Sequence, residues 1–342
     1  MKILVGISGG VDSAFAARKL LDQGHEVEGA VLVMHEHTEL DAAHEAADSI
    51  GVKLHEIDCT EQFCAIKDNF VNEYIHGRTP NPCIICNERV KFFELYNYAM
   101  KNGFDAIATG HYAKLVKLTD GENIRYTLTM AEDEKKDQTY MLYRLPQHVL
   151  ASLILPLSEG KKSDIRTLAS EQGISAANRS DSQEICFLPD GNYTEYIEEK
   201  SGKCPDGDFV DDCGNVIGRH KGIIHYTVGQ RKGLGISLGK RAFVTDIDPE
   251  TNRVTLSTEM RGSHQITISD MVYSGLKAPT ETEQHHLYVK LRYTALLVEC
   301  TAELHPDRTA ILYFDEPVKP APGQSAVLYR DNKVMCGGFI CK

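Results

Sequence analysis

Apolar residues follow two rhythms along this chain, and the change from one to the other divides it. In the first third, short runs of Ile, Leu and Val alternate with longer stretches whose apolar residues recur every three or four positions. The runs at residues 3–7, 27–34, 54–59 and 106–109 read as buried strands. The stretches at 11–21, 39–50, 61–74 and 89–101 read as helices, the first closed by Gly24. Strand alternating with helix predicts an α/β fold, a doubly wound parallel sheet with crossover helices. Ligands of such sheets sit beyond the C-terminal ends of strands, where residues 8–13 and 109–112 fall. After about Gly202 the helical period gives way to short alternating strands at 241–247, 253–257, 287–293, 309–314 and 325–329, punctuated by Gly, Asn and Asp-Pro. This predicts a small central domain followed by a C-terminal β-barrel, with domains at 1–202, 203–261 and 262–342 and boundaries near Gly202 and Arg261.

Composition changes this picture little. No apolar stretch approaches the ~20 residues of a membrane helix, and the opening MKILVGISGG lacks a leader pattern, so a cytosolic protein is expected. Ten cysteines in that reducing compartment are then mostly small buried hydrophobes rather than disulfide partners. A net charge of −12 argues against non-specific adhesion to nucleic acid. Yet residues 216–245 hold Arg219, Lys221, Arg231, Lys232, Lys240 and Arg241 with no acid among them, a local surface suited to a phosphate backbone.

The first candidate chemistry lies in Gly6-Ile7-Ser8-Gly9-Gly10-Val11-Asp12-Ser13, a strand–loop–helix. Two glycines let the backbone approach a phosphate, and the helix behind them offers free N–H groups. Ser8 and Ser13 add hydroxyls, and Asp12 is placed to hold Mg²⁺. No Lys follows the glycines, so this is not the loop of γ-phosphate transfer, and the dinucleotide pattern is absent too. The second lies in Thr79-Pro80-Asn81-Pro82-Cys83-Ile84-Ile85-Cys86-Asn87, stiffened by two prolines. Cys86 stands just ahead of the helix expected from Arg89, where a dipole would favour its thiolate. A third thiol, Cys186, follows Asp181-Ser182-Gln183-Glu184-Ile185. On spacing alone, Cys83 and Cys86 with a distant Cys also fit a structural zinc site, although a fourth ligand is not evident, and Cys186 also fits a core thiol.

Together with these, Ala108-Thr109-Gly110-His111-Tyr112-Ala113, Lys136-Asp137-Gln138 before Tyr140, residues 227–235 (TVGQRKGLG) and Pro322-Gly323-Gln324 occur in an order that resembles the tRNA-specific 2-thiouridylase family. The resemblance implies a pyrophosphatase-loop domain, a small central domain and a β-barrel. It implies that residues 6–13, with Leu32 and Gly110, hold ATP, that Cys86 is the nucleophile, and that Cys186 carries a persulfide and pairs with Cys86. It places Asn81, Pro82, Cys83, His111, Lys136, Asp137, Gln138, Arg292, Tyr293 and Gln324 against tRNA or its target base. On residue type alone, Lys136 and Arg292 also fit solvated surface charges and His111 a helix cap. Two departures stand out: Cys83 replaces an Asp found in some members, and residues 35–40 form a shorter loop without the usual acidic and aromatic side chains.

The chemistry so implied is adenylation of the wobble uridine's 2-oxygen by ATP with Mg²⁺, then sulfur delivery from a Cys186 persulfide loaded by a cysteine desulfurase or relay protein. A rival keeps adenylation but holds a [4Fe–4S] cluster on Cys83, Cys86 and Cys186. An adenylate-forming ligase explains the loop but not the thiols, and a tRNA-binding module explains only the basic stretch.

Overall fold

The computed structural model describes residues 1–120, 123–178, 185–188, 190–236, 241–259 and 262–341. Its first part runs β1 (Lys2–Gly6), α1 (Val11–Asp22), β2 (Glu26–Val33), α2 (Leu40–Ile50), β3 (Leu54–Asp58), α3 (Thr60–Ile75), α4 (Pro82–Cys86), α5 (Phe92–Lys101) and β4 (Ala106–Ala108). A hairpin of β5 (Lys114–Asp120) and β6 (Asn123–Thr129) follows, then α6 (Thr139–Leu142), α7 (Gln147–Ala151), β7 (Leu153–Ile154), α8 (Lys162–Glu171) and α9 (Tyr193–Ser201). The parallel sheet has the order β3-β2-β1-β4-β7. Strand β1 shows why its sequence is continuously apolar: Ile3 and Val5 enter a core with α1 and α2, while Leu4 points to the opposite core with α3 and α5. Both faces are covered, as a doubly wound sheet requires.

The central part is a four-stranded sheet, β8 (Gly207–Val210), β9 (Val216–His220), β10 (Phe243–Asp248) and β11 (Arg253–Ser257), around its own core of Phe209, Val244, Val254 and Leu256. The last part is a closed barrel of β12 (Ser263–Tyr273), β13 (Glu283–Lys290), β14 (Val298–Leu304), β15 (Ala310–Val318), β16 (Ser325–Arg330) and β17 (Lys333–Ile340), sealed by the β12–β17 pairing. The expected order of α/β sheet, small domain and barrel is what the chain adopts. Two details differ. The hairpin β5–β6 was not expected, and it extends the barrel sheet through Thr129 beside Lys333. The boundary residue Arg261 lies outside the described residues, as do Lys240 and residues 181–184.

Barrel and sheet domain share a buried seam. Along β16, Ala326 and Leu328 face the barrel interior, while Val327 and Tyr329 join the core of the first part. Tyr140 donates to the Ser325 carbonyl at 2.9 Å, and Tyr143 lies 3.0 Å from the Ser325 hydroxyl. Buried Arg144 reaches Glu88 at 2.8 Å and the Asp270 carboxylate at 2.8 Å, tying the chain just after Cys86 to β12. A polar group stranded in such a seam costs about 1–3 kcal/mol, so these pairings fix how the two parts dock.

Candidate functional site

The loop between β1 and α1 lies at the C-terminal edge of the sheet, beside β4, where strand order reverses. Gly9 has φ +80, and a Cβ there would stand 2.7 Å from the Ala42 Cβ, so the loop folds only with glycine. Gly110 abuts the first turn of α1, where a Cβ would meet the Asp12 backbone at 2.6 Å. The Ser13 hydroxyl accepts from the Ser8 N–H at 3.2 Å and donates to the Gly10 carbonyl at 2.9 Å, closing the loop on itself. Leu32 is half-buried near the end of neighbouring β2. Asp12 accepts a hydrogen bond from the Tyr112 hydroxyl at 2.7 Å and an ion pair from Lys162, at the start of α8. Lys162 brings to the loop the cation absent from its sequence. Nothing local could have revealed it, since it arrives from a distant helix.

Cys86 does not stand at a helix N-terminus. Asn81 caps a helix that begins earlier, its side chain accepting from the Cys83 N–H at 3.2 Å, with Pro82 in the first turn. The helix continues through a π-turn, Asn87–Lys91, into α5. The expected start near Arg89 therefore falls within one continuous helix, and the expected dipole stabilisation of Cys86 is lost. Burial instead pushes its thiol up to about 12, against a downward pull from Lys91. Its sulfur sits 3.9 Å from that of Met34, at the end of β2, on the same sheet edge as the nucleotide loop.

Cys186 comes to this helix from across the core, its segment anchored by Phe187 between Phe63 and Phe70. Cys186 reaches solvent and Cys83 is half-buried, and all three thiols are free. Desolvation also raises the Cys186 thiol, again opposed by Lys91. Cys83, Cys86 and Cys186 influence one another electrostatically and share Lys91, a residue sequence reasoning passed over. The available signal was a lysine between Val90 and Phe92, both fully buried. Among the described residues no three His, Cys, Asp or Glu side chains converge as a metal-binding group. His111 is no helix cap. It lies 2.9 Å from the Thr109 hydroxyl and packs on Phe92, while burial, helped by Lys91, pulls its pKa down to about 3 and keeps it neutral.

The other polar residues of the motifs divide into two groups. Asp137 is buried, accepting from Ala131 N–H at 3.1 Å and Thr139 hydroxyl at 2.6 Å. Gln138 accepts from Tyr112 N–H at 2.8 Å, and Gln324 donates to the Thr79 carbonyl at 2.7 Å. All three brace the loops around the site. Lys136 and Tyr293 are half-buried, and Arg292 donates to the Val228 carbonyl at 3.3 Å, joining barrel to central sheet. In the basic stretch Arg219 is paired with Asp208 at 2.6 Å, whereas Lys221, Arg231, Lys232 and Arg241 are exposed.

A glycine loop at the switch point of a parallel sheet, with three thiols on the same edge, defines a nucleotide-dependent α/β enzyme equipped for thiol chemistry. Family models match the chain over most of its length: a tRNA methyl transferase HUP domain over residues 1–190, a tRNA methyl transferase PRC-barrel domain over 194–258 and an aminomethyltransferase beta-barrel domain over 263–340. The tRNA-specific 2-thiouridylase MnmA 1 of Clostridium tetani is 41% identical over 359 residues, spanning 99% of this chain and 96% of that relative. The tRNA-specific 2-thiouridylase MnmA of Treponema denticola is 41% identical over 358 residues, spanning 99% and 98%. This chain belongs to the tRNA-specific 2-thiouridylase family. Among solved structures, a 4-thiouridine synthetase–RNA complex with bound ATP is similar at 18% identity and a TM-score of 0.39, covering 58% of this chain and 50% of that one. No described helix is long and apolar enough to cross a membrane.

Proposed function

We propose that this enzyme uses ATP to replace the 2-oxygen of the wobble uridine of tRNA with sulfur. The observation that carries this reading is the shared sheet edge: the nucleotide loop and the thiol cluster face one reaction space, in a chain aligned end to end with 2-thiouridylases. In the division adopted, residues 1–202 perform the chemistry, 203–261 bind tRNA and 262–342 form the supporting barrel.

Residues 6–13, Leu32 and Gly110 hold ATP. Asp12, exchanged from Lys162, would hold Mg²⁺ together with the phosphates, and one carboxylate suits an ion that keeps water and phosphate oxygens as its other ligands. Bound there, the ion would offset the charge of the departing pyrophosphate. The uridine is flipped out of its stack against Asn81, Pro82 and Cys83. Its O2 attacks the α-phosphorus, releasing pyrophosphate and leaving an adenylated base. A persulfide on Cys186, loaded in the cytosol by a cysteine desulfurase or relay protein, attacks C2 through its outer sulfur, and AMP departs. The Cys86 thiolate then attacks Cys186 Sγ. The S–S bond to the transferred sulfur breaks, the C2=S bond forms, and a Cys86–Cys186 disulfide remains for an external thiol to reduce with two electrons. His111, Lys136, Arg292 and Tyr293 meet tRNA, while Asp137, Gln138 and Gln324 keep the loops in place. The rival reading would hold a [4Fe–4S] cluster on Cys83, Cys86 and Cys186; among the described residues no three His, Cys, Asp or Glu form a group for a single metal ion.

The test is reconstitution with tRNA, ATP and a persulfide donor, reading 2-thiouridine by mass spectrometry and pyrophosphate release. Cys86→Ser and Cys186→Ser should stop thiolation, and Cys83→Ser should retain most of it. Loss of activity in Cys83→Ser together with stoichiometric iron in the parent would reverse the choice. Pyrophosphate without thiolated base would favour the ligase.

A further inference from the structure

Between Cys86 and α5 the helix widens into one π-turn, Asn87–Lys91. Residues five apart on a regular α-helix diverge by about 140° around its axis. A π-turn absorbs the extra residue and brings position i+5 back over position i. Lys91 is five residues beyond Cys86, so the widened turn sets it on the thiol face. Cys83, three residues before Cys86, shares that face. Cys186 approaches from the segment anchored by Phe187. The Lys91 backbone N–H is also turned to the Cys86 sulfur, where it favours the thiolate.

The side chain is half-buried, and loss of hydration is the largest influence on it. Even so, the neighbouring sulfurs of Cys86, Cys83 and Cys186 raise its pKa overall and hold it protonated. No carboxylate lies within ion-pair distance of it among the described residues. The other titratable groups around this space, among the described residues, include His111 beyond β4, His35 beyond β2 with Glu36, His37 and Lys67 around it, and buried Cys59, which interacts electrostatically with Glu94, Asp58 and Cys86. His111 and His35 are pushed towards the neutral form, burial first and Lys91 contributing to both. A half-buried cation with no carboxylate partner among the described residues, set among three nucleophilic sulfurs, has the charge complementary to what sulfur transfer generates.

We propose that Lys91 is the cation of the sulfur site, easing ionisation of the Cys86 thiol and stabilising the negative outer sulfur of the Cys186 persulfide. The role deepens the sulfur-transfer reading and rests on it for its purpose, but the electrostatic effect requires neither tRNA nor persulfide. The Cys86 thiol proton leaves to solvent, and the electron pair left on sulfur forms the bond to Cys186 Sγ. Lys91 keeps its own proton and lowers the cost of that separation.

The test is the pH profile of iodoacetamide alkylation, read separately for Cys86 and Cys186 by peptide mass spectrometry on the reduced full-length chain. An opposite charge within ~4–6 Å shifts an ionisation by about 1–3 units. Lys91→Gln and Lys91→Met should therefore move both profiles at least one unit upward, slowing alkylation at fixed pH about tenfold or more. Lys91→Arg, which keeps the charge, should restore most of the rate. Far-UV circular dichroism checks folding, and if Lys91→Met does not fold, the Gln and Arg pair decides alone. Unmoved profiles overturn the proposal. So does an equal loss in Arg and Gln, which would mean packing, or a loss of ATP affinity with unmoved profiles, which would assign the ammonium to phosphate. Failure of the persulfide route leaves the alkylation result standing, so the two readings fail separately.

Discussion

Gly110→Ala concentrates the nucleotide-loop reasoning into one methyl group. The added Cβ would lie 2.6 Å from the Asp12 carbonyl carbon, 2.7 Å from the Ser13 nitrogen and 2.8 Å from the Asp12 oxygen. The nearest of these is roughly 0.8 Å inside the 3.4 Å at which ordinary van der Waals contact begins. All three atoms are backbone in the first turn of α1, so no side chain can swing aside. Either the end of β4 or the loop that carries Ser8 and Asp12 must move by most of an ångström. A displacement of ~1 Å in a reacting geometry costs about a hundredfold in rate. ATP-dependent pyrophosphate release should fall by about that factor, with tRNA affinity measured by filter binding little changed. Gly160→Ala is the control, because its Cβ would meet Ile165 at an ordinary 3.5 Å. A Gly110→Ala enzyme releasing pyrophosphate within threefold of the parent would remove the close approach of β4 and α1 from the account of ATP placement.

His111, with its pKa held down to about 3, binds a proton more readily in the unfolded chain, so folding stability should fall as pH drops from about 6.5 towards 3. Each unit costs up to about 1.4 kcal/mol for that proton, and His111→Gln should flatten this part of a urea-midpoint series; an unchanged slope would mean the imidazole is hydrated. Replacing exposed Arg231 and Lys232 with Ala should weaken tRNA binding and reduce the log–log salt slope by about 0.7–0.9 per lost phosphate contact, whereas an unchanged slope in a salt titration would place these charges away from RNA.

The sheet was legible because β1 and β2 are covered on both faces and read as unbroken apolar runs. The nucleotide loop was legible because Gly9 must adopt a positive φ. The thiol helix was misplaced by several residues because Pro80 and Pro82 read as an extended segment, while in the structure Pro82 opens the helix behind an Asn81 cap. Strand β17 was missed because Gly337 and Gly338 suggest a turn. They are glycines because Tyr143 and the Ser269 backbone press against the strand there. The family resemblance placed Asp137, Gln138 and Gln324 against tRNA. The hydrogen bonds they also make to backbone groups, such as that of Gln324 to the Thr79 carbonyl, could not be read from the sequence.

The two-sided burial of β16 limits how this molecule can be taken apart. Its odd-numbered residues Val327 and Tyr329 complete the core of the first part, and Ala326 and Leu328 complete the barrel. A gene cut before the barrel would deliver a fragment with an open apolar flank around Tyr140 and Tyr143, inclined to clump. Transplanting a barrel from elsewhere would require matching both alternating sets at once. Shuffling of modules is thereby discouraged, and these two parts are bound to be inherited, expressed and engineered together.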